Sequence, residues 1–267
     1  MDLGLADATA VVTGGSKGMG RAICECLAGE GARVAALARG KESLDETVEA
    51  LRAAGSPDPL AIATDVTDEA SVHAAFAEVD RRWGSLNVLV NTVGPGGGTL
   101  DQLDDAGWEA ALQLGTMAAV RCVRAGLPLM RKADWGRIVN LSAHSIQRQN
   151  PMLVAYTASK AALASISKNL AKSLAPEGIL VNTVSPGTFV TASFTEQLKP
   201  ILEQSGYDAT DPHDVMRWIA DVYHQPADLG RAGLPEEIAA VVTFLASRRN
   251  SYTTGANVNV DGGSDFV

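Results

Sequence analysis

Tyr156 and Lys160 are the residues of this chain whose types and spacing most directly suggest acid–base chemistry. Four positions apart on an α-helix, their side chains share one face, a turn apart. A phenol ordinarily titrates at a pKa of about 10, which makes it a poor proton-transfer group near neutrality. A neighbouring ammonium favours the phenolate and lowers that value. Lys160 would in this way let Tyr156 exchange a proton with a substrate oxygen. The same spacing also suits a surface lysine beside a half-buried aromatic, so the pair gains meaning only from the elements that position it.

Those elements alternate. Residues 8–13 are a short apolar run that stops at glycines and read as a buried strand. The turn Thr13-Gly14-Gly15-Ser16-Lys17-Gly18-Met19-Gly20 then leads into a helical pattern. Strand, glycine turn and helix N-terminus together make an anion site, because backbone N–H groups are unpaired there and absent side chains let a pyrophosphate approach. Residues 33–38 form a second strand ending at Ala38-Arg39. An acidic residue near this point suits ribose hydroxyls, whereas an arginine accommodates a 2′-phosphate. Here Arg39 and Lys17 are available and no acid is, which favours NADP(H) over NAD(H). Further strands are expected at residues 60–63, 88–90, 137–141, 180–184 and 258–260, and a long helical stretch at 105–130. The pattern predicts an α/β fold, a single Rossmann-type doubly wound parallel sheet with helices on both faces and ligands at the carboxyl ends of the strands.

Composition sets the outer limits. The chain has 267 residues, 46% hydrophobic and 20% charged, compatible with one domain over 1–267. A net charge of −9 argues against nucleic acid or an anionic membrane as main partner. No apolar run is long enough to span a bilayer, and Cys24, Cys26 and Cys122 lack metal-ligand spacing, so no metal is expected. Sparse, odd cysteines and no apparent leader suggest a cytoplasmic setting. Residues 192–230 show no strand pattern but carry bulky groups such as Phe194, Leu198, Trp218 and Tyr223. They read as a lid-like insertion over the substrate or, equally, as an irregular subunit-packing segment.

The ordered set of glycine turn, Asp65, Asn91-Thr92-Val93-Gly94, Tyr156-x-x-x-Lys160 and Pro186-Gly187 resembles the short-chain dehydrogenase/reductase family over nearly the whole chain. Arg231, Pro235-Glu236-Glu237 and Val260-Asp261-Gly262-Gly263 match the family's C-terminal signatures. The resemblance implies hydride transfer between a nicotinamide cofactor and an alcohol/carbonyl pair on a small molecule. It places Gly14, Ser16, Lys17, Gly18, Met19 and Gly20 around the cofactor phosphates and ribose. It assigns Asp65 to the adenine, Val66 to its pocket, and Asn91 and Gly94 to the ribose. Lys160 would hold the nicotinamide ribose and depress the Tyr156 pKa. Pro186 and Gly187 would open the segment in which Val190 and Thr191 meet the carboxamide. Homo-oligomers, dimers or tetramers, are common in the family, and helix faces around Leu112 and Leu163 would permit one.

Two positions depart from the family pattern. The catalytic serine usually stands thirteen residues before the tyrosine, which here is Ala143; Ser142, Ser145 and His144 are the neighbouring donors. The serine donates a hydrogen bond where charge develops on the substrate oxygen. Seven residues after Trp108, where an asparagine often serves a proton relay, this chain has Gly115, which suggests a kink or room for water or substrate. The expected function is an NADP(H)-dependent oxidoreductase acting on a hydrophobic or acyl-type substrate. The alternative is a cofactor-binding protein with little turnover, a sensor or assembly partner.

Overall fold

Each of the apolar runs becomes a strand in the computed structural model, which describes residues 1–264; the last three residues of the expected 1–267 domain lie outside the described residues. The strands are β1 (Thr9–Thr13), β2 (Arg33–Ala38), β3 (Leu60–Ala63), β4 (Val88–Asn91), β5 (Gly136–Leu141), β6 (Ile179–Pro186) and β7 (Asn257–Val260). All pair in parallel, in the order β3-β2-β1-β4-β5-β6-β7. The order reverses between β1 and β4, and such a switch point opens a crevice at the strands' carboxyl ends.

Alternation along β1 explains the layers. Ala10 and Val12 face one apolar cluster, which they share with Ile23 and Leu27 of α1 (Gly18–Gly29), Leu51 of α2 (Lys41–Ala54) and Val242 of α9 (Pro235–Ala246). Val11 faces the opposite cluster, with Phe76 of α3 (Glu69–Trp83), Val123 of α5 (Ala118–Met130) and Leu174 of α6 (Val154–Leu174). Both faces of the central strands are therefore buried, as continuous aliphatic runs in a parallel sheet require.

The stretch expected as one helix over 105–130 is instead three pieces. A short helix, α4 (Asp105–Leu112), meets a π-helical turn over Gln113–Met117 before α5 begins. Gly115 lies in that turn.

Between β6 and α9 the chain forms α7 (Ala192–Gln204) and α8 (Pro212–Tyr223). Their own small cluster, built on Leu202, Val215, Met216 and Trp218, is separate from the two that sandwich the sheet. Arg148, on the loop after β5, fastens the far end of this excursion: its guanidinium donates to the carbonyls of His224 (3.2 Å) and Ser264 (2.6 Å). Among the described residues, no helix is long and apolar enough to cross a membrane.

Candidate active site

Helix α6 brings Tyr156 and Lys160 to the carboxyl ends of β4 and β5, and both line a cleft of about 620 Å³. Lys160 is only 2% exposed. Its Nζ donates to the carbonyls of Val93 (3.0 Å) and Leu141 (2.8 Å), which meets part of the cost of burying the ammonium. Burial nevertheless lowers its pKa to about 8. Gly94 makes this seat possible, since a Cβ there would fall 2.9 Å from Lys160 Cε.

Tyr156 is half-buried, and its hydroxyl has no hydrogen-bond partner among the described residues. Burial pushes the phenol up to about 12. That is opposite to the expected lowering by Lys160: removal of the phenol from water is the cause of the shift. The phenol is consequently held in its protonated form at neutral pH.

The residues around the missing serine divide their tasks. Ala143 is buried and offers no donor. Ser142 Oγ donates to the carbonyl of Lys160 at 3.0 Å, so its proton is committed to holding α6. Ser145 Oγ accepts from Thr157 Oγ1 at 2.9 Å, which leaves its own proton uncommitted at the cleft wall. His144 Nδ1 lies 3.1 Å from the Pro186 carbonyl, and His144 also borders a smaller apolar cavity of about 200 Å³ with Leu153, Phe194, Leu198, Trp218 and Tyr223.

Gly115 provides no room for water. A Cβ there would fall 2.1 Å from Ser159 Oγ and 3.1 Å from Pro95 Cδ, so the glycine is filled space where the π turn presses on α6. Leu163 is 2% exposed and sits inside the fold, so it cannot contribute to an outer apolar face as expected; Leu112 remains exposed.

A second cleft, about 440 Å³, opens over β1 and β2 and is lined by Gly14, Ser16, Lys17, Arg39, Asp65, Val66 and Gly94. Gly14 has φ 67°, and a Cβ on Gly20 would fall 2.2 Å from the Gly14 carbonyl, so the turn folds this tightly only without side chains. Lys17 and Arg39 are exposed and form no ion pair or side-chain hydrogen bond among the described residues. Asp65 Oδ1 accepts from the Thr67 N–H (2.9 Å) and Oγ1 (2.6 Å), and these bonds, with a smaller effect of Arg39, hold its carboxyl below the usual range. Asp65 Oδ2 stays open. Ser43 and Thr67 also line this cleft and escaped the sequence reading; the signal was a small hydroxyl residue one turn into the helix after Arg39 and an Asp-x-Thr turn after β3.

Of the remaining expected residues, Met19, Pro186, Gly187 and Thr191 line the cleft that holds Tyr156, whereas Gly18 sits beside Thr191. Thr191 also caps α7, accepting from the Phe194 N–H. Val190 packs with the α7–α8 cluster and is not part of either cleft wall. Asn91 is buried, donates to Asn140 Oδ1 at 2.8 Å and leaves its own Oδ1 without a partner.

Fold and site together define a Rossmann-type oxidoreductase. The chain belongs to the short-chain dehydrogenase/reductase family: a family model described as enoyl-(acyl carrier protein) reductase matches residues 14–265. It is 35% identical to the short-chain reductase protein NovJ of Streptomyces niveus, over 96% of this chain and 94% of that one. It is 34% identical to the rhamnolipids biosynthesis 3-oxoacyl-[acyl-carrier-protein] reductase of Pseudomonas aeruginosa, over 97% and 96%. Among solved structures, L-sorbose reductase of Gluconobacter frateurii, complexed with NADPH and L-sorbose, superposes with a TM-score of 0.93 at 32% identity, covering 100% of each chain.

The family implies a nicotinamide dinucleotide, and the residues present fit one. The glycine turn leaves a cradle that a Cβ would fill, and two uncommitted cations stand at its far end. The two clefts share Gly94 beside Lys160.

Proposed function

We propose that this protein is an NADP(H)-dependent carbonyl reductase in which Tyr156 is the proton donor. The observation that carries the reading is the pairing of a buried Lys160 with a half-buried Tyr156 at the carboxyl ends of β4 and β5, with a partnerless phenol facing the cleft. NADPH, when bound, supplies hydride to the carbonyl carbon. Gly14, Ser16, Lys17, Gly18 and Met19 would hold its phosphates and ribose, and Arg39 with Lys17 would face the 2′-phosphate. Asp65 Oδ2 and Val66 would take the adenine, and Thr191 the carboxamide end. NADPH in the sorbose reductase complex supports the same cofactor here.

Tyr156 gives its proton to the carbonyl oxygen as the C–O double bond becomes single, and burial suits it to reduction by keeping it protonated. Lys160 has an ammonium proton beyond the two given to Val93 and Leu141, free to orient a ribose hydroxyl. Ser145 supplies the donor that Ala143 lacks and polarises the carbonyl, since its own proton is uncommitted. The apolar cavity beside His144 would take a hydrocarbon or acyl portion of the substrate, with residues 192–230 as its cover. A 3-oxoacyl reductase among the relatives supports an acyl-type substrate.

Tyr156→Phe tests the mechanism. NADPH oxidation with a panel of ketones and aldehydes should fall by about two to four orders of magnitude, while NADPH affinity stays within about two-fold of wild type. Normal reduction by this variant would sink the mechanism. Ala143 favours one other reading, a cofactor-binding protein with little turnover, and an inert wild-type protein across that panel would be its signature.

A further inference from the structure

His144 stands where the catalytic cleft meets the apolar cavity, and it contributes to the walls of both. Its ring orientation fixes its proton. Nδ1 lies 3.1 Å from the Pro186 carbonyl oxygen. A carbonyl only accepts, so Nδ1 must carry the hydrogen and donate it. In the neutral imidazole the other nitrogen, Nε2, is then left with a lone pair and no hydrogen.

Nε2 has no protein partner among the described residues and is not sealed inside the fold. In that form it is an acceptor exposed where the two cavities meet, one residue after Ala143, the position at which the family usually has a donating serine. Neutral His144 cannot replace that serine, because polarising a carbonyl needs a hydrogen to give. It can instead receive one.

We infer that His144 is a specificity-determining residue whose Nε2 accepts a hydrogen bond from a hydroxyl on the carbon next to the reacting carbonyl, so that the protein prefers α-hydroxy ketones carrying an apolar group. The inference rests on the carbonyl-reductase reading for the placement of the carbonyl near Tyr156. Pro186 is the positioning partner: it ends β6, and its backbone is held by the sheet pairing with Val260. A hydroxyl-bearing substrate satisfies Nε2, whereas the deoxy analogue covers it with carbon in place of the water it meets in the free protein, a loss that discriminates against that analogue.

The test uses α-hydroxyacetophenone and acetophenone as the probe pair, with the full chain. The wild-type preference, measured as the ratio of kcat/KM values with NADPH, should drop by about ten-fold in His144→Phe. His144→Gln, which keeps an amide oxygen near the Nε2 position, should recover a substantial part of it. Binding of α-hydroxyacetophenone to the NADP⁺ complex, read by calorimetry, should weaken in His144→Phe relative to acetophenone and recover in His144→Gln. An unchanged preference in both variants, in turnover and in binding, overturns the inference. If wild type reduces neither of these ketones nor any member of the wider ketone and aldehyde panel, but binding still discriminates through His144, the reductase reading falls and the assignment of His144 stands.

Discussion

Gly115 and Ser159 occupy one another's space: a Cβ on Gly115 would fall 2.1 Å from Ser159 Oγ and 2.7 Å from its Cβ. Thr116 fixes the contact from the next position, donating from Oγ1 to the Ser159 carbonyl at 2.8 Å. Ser159 in turn donates from Oγ to the Tyr156 carbonyl at 2.7 Å. The π turn and α6 are thus seated against each other through a hydrogen-sized side chain.

Gly115→Ala should therefore destabilise the protein, although alanine is the better helix former by about 1 kcal/mol. Overpacking at a site this tight costs about 1–3 kcal/mol. The double variant Gly115→Ala/Ser159→Gly should be more stable than the two single losses combined would give. Urea unfolding of all four proteins measures the coupling; strictly additive losses would contradict the contact.

Lys160 should make stability climb with pH in the alkaline range. Burial lowers its pKa from 10.5 to about 8. Between those values the unfolded chain holds a proton that the folded chain has released, so stability rises with pH through that window. Below it both states are protonated and the full penalty is present; above it the penalty has gone. The gap corresponds to something on the order of 3 kcal/mol. Cofactor-free wild type and Lys160→Met, unfolded at a series of pH values from 7.5 to about 10.5, should diverge in favour of wild type as pH rises. Tyr156, raised to about 12, acts in the opposite sense above pH 10 and is common to both proteins. A pH-independent difference would mean that Lys160 keeps an ordinary affinity for its proton.

Arg39 should set the choice between the two nicotinamide cofactors. Removing a charge-assisted partner of a phosphate costs roughly 1.5–3 kcal/mol. Arg39→Ser should accordingly shrink the ratio of NADPH to NADH affinity by about ten- to one-hundred-fold. Fluorescence titration of both cofactors reads this directly, and an unaltered ratio would assign the preference elsewhere.

Much of the fold was legible because parallel strands buried on both faces must be aliphatic throughout. Residues 33–38 match β2, whose middle four residues are buried, to the residue; residues 60–63 match β3 as well, although that edge strand is only partly covered. The Tyr156–Lys160 pair was legible for a different reason: helical periodicity places residues four apart side by side regardless of context. What stayed hidden depends on packing across elements. Gly115 advertised a weak helix position but not a π turn, because nothing local says that Ser159 fills the space opposite. Alternation along β5 cannot tell Ser142 from Ser145, since the strand ends at Leu141 and the residues beyond it turn through a short 3₁₀ segment at His144–Ile146. The direction of the Tyr156 shift was hidden too, because spacing reveals the lysine beside a phenol but not how much water surrounds them.

The two carbonyls that receive Lys160 belong to different strands' ends, Val93 just after β4 and Leu141 closing β5. Their relative height is set by the pairing of Asn91 with Asn140 in the register between those strands. The lysine consequently gauges whether the middle of the sheet has zipped up in alignment. A chain whose β4 and β5 were slipped by one residue would offer one carbonyl and one side chain at that spot, and the ammonium would lose its seat. The seat of the Lys160 ammonium is thereby tied to the alignment of the central strands, and a half-assembled sheet would not provide it.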